Sequence, residues 1–278
     1  MYRCQFSGRN RWPRVKTSII SGLIGYNAVD TKKNQWFIDE FLQKLNDEEV
    51  SLSFLDEEFL NDYIKTHDVD FVIYRARNYK IVELLEQKGI KVFNNSLTNK
   101  TANDKYLTYR MLKENNLPYI ETFAKPKTYP CIMKSVSGHG GQEVFLINSE
   151  EQQQSVLNEH PSLEFIYQDY LKNNGDVRLY VLNKSVIASI KRENKDDYRN
   201  NFSLGGNASI YEPSEEMKES ALKIANMLNA DFIGVDFLLT KDGYKIIEIE
   251  DPVGSRMVYQ ATDIDIISKY IECIRNNI

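Results

Sequence analysis

The sequence contains little cysteine and no long hydrophobic run. Its three cysteines, Cys4, Cys131 and Cys273, are far apart and form no CxxC or CxxH spacing. A sparse, odd set argues against a disulfide framework or a zinc site and favours a reducing compartment. No apolar stretch approaches the roughly 20 residues of a membrane-spanning helix. The basic N-terminus lacks the apolar segment of a secretory signal, so we expect a cytoplasmic protein with no membrane attachment.

An excess of positive charge is also absent. The 278 residues include 35 Lys and Arg against 40 Asp and Glu, a formal net charge of -5 at pH 7. This balance excludes a generally basic nucleic-acid-binding protein, although a local basic groove is compatible with it. Hydrophobic residues are 42% and charged residues 27% of the chain, which indicates a globular rather than a disordered protein.

Hydrophobic periodicity predicts an α/β fold in two parts. Residues 1–16 are basic and free of acidic residues, and we interpret them as an arm that is either disordered or placed at a sheet edge or against phosphate. Residues 17–96 alternate strands and helices as a small parallel sheet requires. A helix is predicted over residues 101–116, and β-rich segments, further strands and three more helices, over residues 149–160, 215–230 and 263–277, follow. The boundary near residue 96 depends on this change of pattern, because no flexible linker is present.

A set of carboxylates near the C-terminus is the strongest local signal. Glu248 and Glu250 are two apart in a predicted strand and share a face, which places Ile247 and Ile249 on the opposite, buried face. A three-residue loop before this strand would place Asp236 opposite Glu248, whereas a two-residue turn would direct Asp236 away. The first register forms a hard oxygen-ligand site for Mg²⁺. A solvated acidic edge is the alternative.

A glycine-rich turn follows the predicted strand that ends at Lys134. Gly138, Gly140 and Gly141 would allow backbone N–H groups to approach phosphate oxygens closely. A plain glycine hairpin is the alternative, because the segment matches neither the P-loop nor the dinucleotide-binding glycine pattern. His139 stands among these glycines, and we interpret it as a loop residue rather than a catalyst.

The order of these motifs resembles the ATP-grasp enzymes, specifically their RimK-like branch. The matching segments are NDKYLTYRMLKENNLP, CIMKSVSGHGGQEV, IYQDYLKNNGDVRLYV, DDYRNNFSLGGNAS, IGVDFLL and IIEIEDPVG. Each motif is weak alone, but the ordered set is specific. The resemblance implies an α+β ATP-grasp fold, in which residues 17–96 form a pre-ATP-grasp domain. Residues 97–278 would form a two-lobed ATP-grasp domain, with its small lobe at about 118–166.

The resemblance also implies site residues. Those implied for nucleotide binding are Lys105, Lys134, Gly138, Gly140, Gly141, Asp169, Tyr170, Asp176, Arg199, Asn200 and Asn201. Arg178 and Arg199 would act in catalysis, and Asp236, Glu248 and Glu250 would hold two Mg²⁺ ions, with Mn²⁺ as an alternative. Glu250 stands where the family usually has Asn. Asp251, in the unusual EDPVG segment, would either replace a ligand or lie behind the ligands.

Arg75 and Arg77 follow a predicted strand at its C-terminal end, where α/β folds bind ligands. They are candidates for gripping a substrate carboxylate, and exposed loop arginines are the alternative. We expect Arg75 to face the active-site cleft and Arg77 to stay in solvent.

The resemblance implies a ligase that uses ATP to join a carboxylate to an amine through an acyl phosphate, with release of ADP and phosphate. The implied substrate is an amino acid or peptide, including a ribosomally made peptide or a protein tail. No nucleic-acid partner is expected, and a homo-oligomer is left open. A kinase of a small metabolite and a non-catalytic nucleotide-binding module are the alternatives.

Overall fold

The computed structural model describes residues 19–194 and 207–278. The first part of the chain alternates strands and helices: β1 (Ile20–Tyr26), α1 (Ala28–Leu45), β2 (Val50–Asp56), α2 (Glu57–Tyr63), β3 (Phe71–Tyr74), α3 (Tyr79–Gln87) and β4 (Lys91–Phe93). These strands form a parallel sheet in the order β2-β1-β3-β4. The basic arm predicted over residues 1–16 lies outside the described residues.

Three helices and an antiparallel sheet follow. The elements are α4 (Ser96–Ala102), α5 (Lys105–Glu114), β5 (Thr122–Phe123), β6 (Cys131–Ser135), β7 (Val144–Ile147), α6 (Glu150–Glu159) and β8 (Phe165–Asp169), and the strand order is β5-β8-β6-β7. The helix predicted over 101–116 is present as α5, but it begins at Lys105 because Thr101 belongs to the separate helix α4. Asp104 separates α4 from α5, because its side chain accepts the Leu107 backbone N–H at 3.0 Å and caps α5.

The last part contains a second antiparallel sheet. Its elements are β9 (Asp176–Leu182), β10 (Ser185–Glu193), β11 (Asn207–Ile210), α7 (Glu215–Leu228), β12 (Phe232–Thr240), β13 (Gly243–Glu250), α8 (Arg256–Ala261) and α9 (Ile266–Arg275), with the strand order β11-β10-β9-β12-β13. One parallel and two antiparallel sheets confirm the predicted fold class. Within the described ranges, no helix has the length and apolar character that crossing a bilayer requires.

The hydrophobic core is continuous between the parallel sheet and the C-terminal part. Ile24 and Phe41 belong to the same buried cluster as Phe232 and Tyr270. The rings of Phe41 and Tyr270 meet edge to face, with centroids 5.7 Å apart. The parallel sheet therefore packs against the rest of the chain through α1 and α9 rather than standing apart from it.

A buried carboxylate also ties these parts together. Asp251 follows β13 and accepts hydrogen bonds from the side-chain amides of Asn94 and Asn99, each at 2.9 Å. The Asn94 amide also donates to the Phe232 carbonyl at 2.6 Å. Burial raises the pKa of Asp251, and the two amides oppose this rise by stabilising the ionised form.

Gly22 allows close packing inside the parallel sheet. It pairs with Phe71 on the neighbouring strand, and a Cβ at this position would overlap the Phe71 ring. Gly22→Ala should therefore lower the free energy of unfolding by about 1–3 kcal/mol through overpacking. Urea unfolding measures the effect.

Gly25→Ala is the matched control on the same strand. Its added Cβ would lie 3.1 Å from Leu60 Cδ1, the far end of a side chain that can adjust. Equal losses for the two variants would contradict the importance of the Phe71 contact.

Candidate active site

A β-bulge determines which carboxylates come together in the β12–β13 hairpin. Near the turn Thr240 pairs with Gly243, so the loop contains two residues rather than the three that were predicted. The register then shifts by one, which leaves Ile247 as an extra residue and places Asp236 opposite Glu248. The predicted pairing is therefore present, but the bulge produces it instead of the loop.

The same bulge changes the inward face of β13. Ile246 and Ile249 are buried in the core, whereas Ile247 lies on a pocket wall together with Glu248. The prediction of a buried Ile247 is wrong, because the bulge interrupts the two-residue period on which that prediction depended.

Asp236, Glu248 and Glu250 form an acidic cluster. Each offers one carboxylate oxygen, and these oxygens lie within 4.8 Å of one another. Such hard oxygen donors fit Mg²⁺ or Mn²⁺. Burial raises the pKa of Glu248, and the charges of Glu250 and Asp236 raise it further. A divalent cation would offset this repulsion, so the residues present fit the metal that the sequence implied.

Two buried arginines neutralise the innermost carboxylate. Arg178 donates to Asp236 twice, from Nε to Oδ1 at 2.6 Å and from Nη2 to Oδ2 at 2.7 Å. Arg192 donates to the same Oδ2 at 2.7 Å and pairs with Asp176. Burial alone would raise the pKa of Asp236, but the two guanidinium groups outweigh it and hold that pKa at about 2. Arg178 also donates to Glu250 at 2.7 Å.

Sequence reasoning missed Arg192. The one signal available was an arginine within the charged end, KRE, of the segment SVIASIKRE. Its role becomes visible only in the β9–β10 register, where Arg192 lies opposite Asp176.

A pocket between the two antiparallel sheets collects many of the residues predicted to bind nucleotide. Those on its walls are Lys105, Lys134, Gly138, Gly141, Asp169, Tyr170 and Asp176, and the predicted metal ligand Glu248 is on the same walls. Apolar side chains, including Ile120, Ile132 and Leu238, line the same pocket. Gly140 lies instead in a second pocket. The predicted residues Arg199, Asn200 and Asn201 lie outside the described residues.

The two pocket lysines are held differently. Lys105 donates to the Gly138 carbonyl and lies 3.6 Å from Glu248. The Lys134 ammonium has no hydrogen-bond or ion-pair partner among the described residues. Burial lowers the pKa of Lys134, and the carboxylates of the acidic cluster oppose this effect. Lys134 therefore presents an unpaired cation to the pocket.

The second pocket adjoins the same cluster. Glu250 lines this pocket while Glu248 lines the first, so the acidic cluster lies between them. The basic residues on its walls are Lys33, Arg75, Arg77, Arg178, Arg192 and Arg256, and the acidic ones are Asp30 and Glu250. Positive charge therefore exceeds negative charge on these walls.

Arg75 and Arg77 both line the second pocket. Arg75 is only 4% exposed, and it donates to the Tyr26 hydroxyl at 3.2 Å and to the Val253 carbonyl at 2.7 Å. Arg77 forms an ion pair with Asp30 at 2.7 Å. The expectation that Arg77 stays in solvent is wrong, because Asp30 in the first turn of α1 draws it to the pocket wall.

Comparison with known proteins identifies the family. A model described as the RimK-like ATP-grasp domain matches residues 75–274. The chain belongs to the RimK-like ATP-grasp family. The resemblance found in the sequence is thereby confirmed.

Similar proteins agree with this RimK-like assignment. The chain is 28% identical over 252 residues to "Uncharacterized protein MG011 homolog" of Mycoplasma pneumoniae, covering 87% of this chain and 88% of that protein. It is 28% identical over 214 residues to alpha-aminoadipate–LysW ligase LysX of Saccharolobus solfataricus, covering 69% and 78%. The structure of D-alanine–D-alanine ligase from Bacillus anthracis with ATP has a TM-score of 0.73 at 14% identity, over 93% of this chain and 97% of that one. At this identity the last similarity shows the fold alone.

Asp251 lies behind the acidic cluster in this RimK-like ATP-grasp protein. One of its oxygens accepts from Asn94 and the other from Asn99. Both oxygens are therefore engaged by amides, and Asp251 is not among the three described carboxylates whose oxygens converge.

Glu248→Gln should weaken metal binding, since it removes one ligand charge but keeps the side-chain size. We expect the affinity for Mn²⁺, measured by electron paramagnetic resonance with a non-hydrolysable ATP analogue present, to fall by at least about tenfold. The urea midpoint should not decrease, because the substitution also removes like-charge repulsion. The control is Glu272→Gln, since Glu272 is an exposed residue of α9. An unchanged Mn²⁺ affinity in Glu248→Gln would contradict the metal site.

Proposed function

We propose that this protein activates a carboxylate with ATP as an acyl phosphate and then joins it to an amine. Family membership makes it an ATP-grasp carboxylate–amine ligase, an enzyme that forms C–N bonds. The acyl-phosphate route, the substrates and the roles of individual residues are the proposal.

The observation that carries this proposal is the position of the acidic cluster between two pockets. Glu248 lines the first pocket, while Glu250 and Arg178 line the second. Phosphoryl transfer requires a nucleophile positioned beside the γ-phosphate and in line with the leaving oxygen. Two pockets that meet at a charged cluster can hold the nucleotide on one side and the carboxylate nucleophile on the other.

We assign the first pocket to ATP. Its apolar walls suit the adenine ring, which we place near Asp169 and Tyr170, and Asp176 would contact the ribose. Lys105, Lys134 and the backbone N–H groups of the glycine turn at 138–141 would contact the phosphates. Arg199, Asn200 and Asn201 remain proposed for the phosphate end on the sequence resemblance alone.

Charge neutralisation, rather than a protein nucleophile, is the chemical demand of the first step. Asp236, Glu248 and Glu250 would hold Mg²⁺, as one or two ions, and the metal would supply part of this neutralisation. Arg178, held by Asp236 and Glu250, is oriented to stabilise the transferring phosphoryl group, and Arg199 is proposed to assist it. The glycine turn would exclude water from the acyl phosphate.

We assign the second pocket to the substrates. The side chains of Lys33 and Arg256 form no ion pair with any described residue, and Arg75 donates to neutral oxygens. Among the described residues, these three cations have no carboxylate partner. They therefore favour a substrate that carries carboxylates, either an amino acid or a peptide such as a ribosomally made peptide or protein tail.

The free, buried Cys131 and Cys273 are consistent with a reducing cytoplasm.

The test is a substrate screen with ATP and Mg²⁺. Each amino acid and a set of short peptides are supplied singly and in pairs, and ADP, inorganic phosphate and products are measured. The proposal expects ADP and phosphate in equal amounts, together with a new amide detected by mass spectrometry. A phosphorylated product without free phosphate would indicate a kinase. Nucleotide binding without turnover on any pair would indicate a non-catalytic module.

Lys134→Met should weaken ATP binding while retaining the apolar stem contacts. Loss of one charge-assisted contact of about 1.5–3 kcal/mol corresponds to roughly 10- to 100-fold in dissociation constant. Calorimetric titration with Mg²⁺ and a non-hydrolysable ATP analogue measures it. The urea midpoint should not fall, because burial disfavours the charged ammonium that the substitution removes. Lys88→Met, at the exposed C-terminal end of α3, is the control. Unchanged affinity would remove Lys134 from the nucleotide site.

A further inference from the structure

His139 is the one described residue that lines both pockets. It stands between Gly138, on the wall of the first pocket, and Gly140, on the wall of the second. The other histidines lie elsewhere: His67 follows α2 and stacks on Tyr63, and His160 ends α6. An imidazole is therefore placed where the contents of the two pockets meet.

We propose that His139 is the general base that removes a proton from the ammonium group of the amine substrate. This inference rests on the ligase function proposed above. It adds the residue that prepares the second substrate for attack.

The second step needs a base. An α-amino group has a pKa of roughly 7.7–8.0 and a lysine side chain of about 10.4, so both are largely protonated at neutral pH and have no lone pair for attack. A base of pKa near the working pH is the most effective, and histidine meets that condition.

The carboxylates of the second pocket are poorly suited to this task. The Asp30 carboxylate accepts hydrogen bonds from Arg77 Nη1 at 2.7 Å and from the Asn27 side-chain amide at 2.8 Å. Burial alone would raise the pKa of Asp30, but these two contacts outweigh burial and lower it. Glu250 accepts from Arg178. Asp30 therefore has a low affinity for a proton, and the Glu250 carboxylate is engaged by the Arg178 guanidinium.

The surroundings keep the His139 imidazole neutral. Burial lowers the pKa of His139, and the charge of Arg77 lowers it further, whereas Asp30, Glu250 and Glu143 oppose the effect. Asp30 lies on α1, Arg77 follows β3, Glu250 ends β13, and Glu143 lies between the glycine turn and β7. A neutral ring has one nitrogen with a free lone pair, as a proton acceptor requires.

The ammonium group of the amine substrate gives one proton to a ring nitrogen of His139, and the ring becomes an imidazolium ion. The free amine then attacks the acyl carbon of the acyl phosphate. A C–N bond forms, the C–O bond to phosphate breaks, and phosphate leaves with the electron pair. The remaining extra proton on nitrogen passes to the departing phosphate, and imidazolium returns its proton to solvent.

The decisive experiment compares two amines in the His139→Gln variant. Hydroxylamine is largely unprotonated at neutral pH and needs no base, so trapping of the acyl phosphate as a hydroxamate should match that of the unchanged protein. Amide formation with an amino acid as the amine should fall by about 100-fold or more in kcat at pH 7. This loss should diminish as the pH rises towards the pKa of the ammonium group.

The outcomes separate this inference from the proposed function. If the unchanged protein makes neither ADP nor hydroxamate with any amino acid, the ligase proposal fails. If it makes both and His139→Gln retains its amide formation and pH profile, only the role of His139 fails. Equal losses with both amines would indicate a structural role and would also overturn the inference. His67→Gln, outside both pockets, is the matched control.

A measurement without turnover tests the placement itself. The three histidines give resolvable ring signals in ¹H–¹³C spectra, and the signal lost in His139→Gln identifies His139. Addition of Mg²⁺ and a non-hydrolysable ATP analogue should shift the His139 signal and its apparent pKa, with His67 and His160 unchanged. If calorimetry shows that the nucleotide binds but the His139 signal does not shift, the placement of His139 between the two reactants is wrong.

Discussion

The ion pairs of Asp236 with Arg178 and Arg192 are the interaction on which the site depends. Asp236 is 1% exposed, and an isolated charge at such depth would be neutralised rather than tolerated. Both arginines are also buried, so removal of any member of this group deprives a buried charge of an ion-pair partner, which is destabilising. The pairs therefore keep Asp236 ionised before any metal binds, and the outer carboxylates Glu248 and Glu250 face the two pockets.

The register of the strands determines which charged side chains lie opposite each other, and these charges in turn disfavour any other register. Asp236 lies opposite Arg178 across β12 and β9, and Arg192 lies opposite Asp176 across β10 and β9. A slip of one residue in any of these strands would turn a charged side chain towards the opposite, apolar face. The bulge at Ile247 then adjusts β13 alone, so that its acidic residues meet Asp236 while the apolar side of the sheet stays intact.

The sequence predicted most of the elements, because their hydrophobic periods are strong, and it predicted the acidic cluster, because carboxylates are conspicuous in apolar strands. It did not predict Arg192, whose partner is fixed by a strand pairing that no local pattern specifies. The bulge was missed for a related reason: strict alternation assumes an uninterrupted ladder. The ion pair of Arg77 with Asp30 joins residues that only the parallel sheet brings together, so the sequence alone suggested that Arg77 stays in solvent.

The wall of the second pocket shows why a chain with net charge -5 can hold a basic cleft. Arg75 donates to the Val253 carbonyl on one side of the pocket, and Asp251, two residues earlier, is held by Asn94 and Asn99. The Asp251 charge acts on Arg75 through space without contacting it as an ion-pair partner. The hydrogen bonds to Tyr26 and Val253 hold the buried Arg75, and among the described residues its guanidinium has no carboxylate in contact. The positive potential is therefore directed into the pocket, where an anionic reactant can form an ion pair with Arg75.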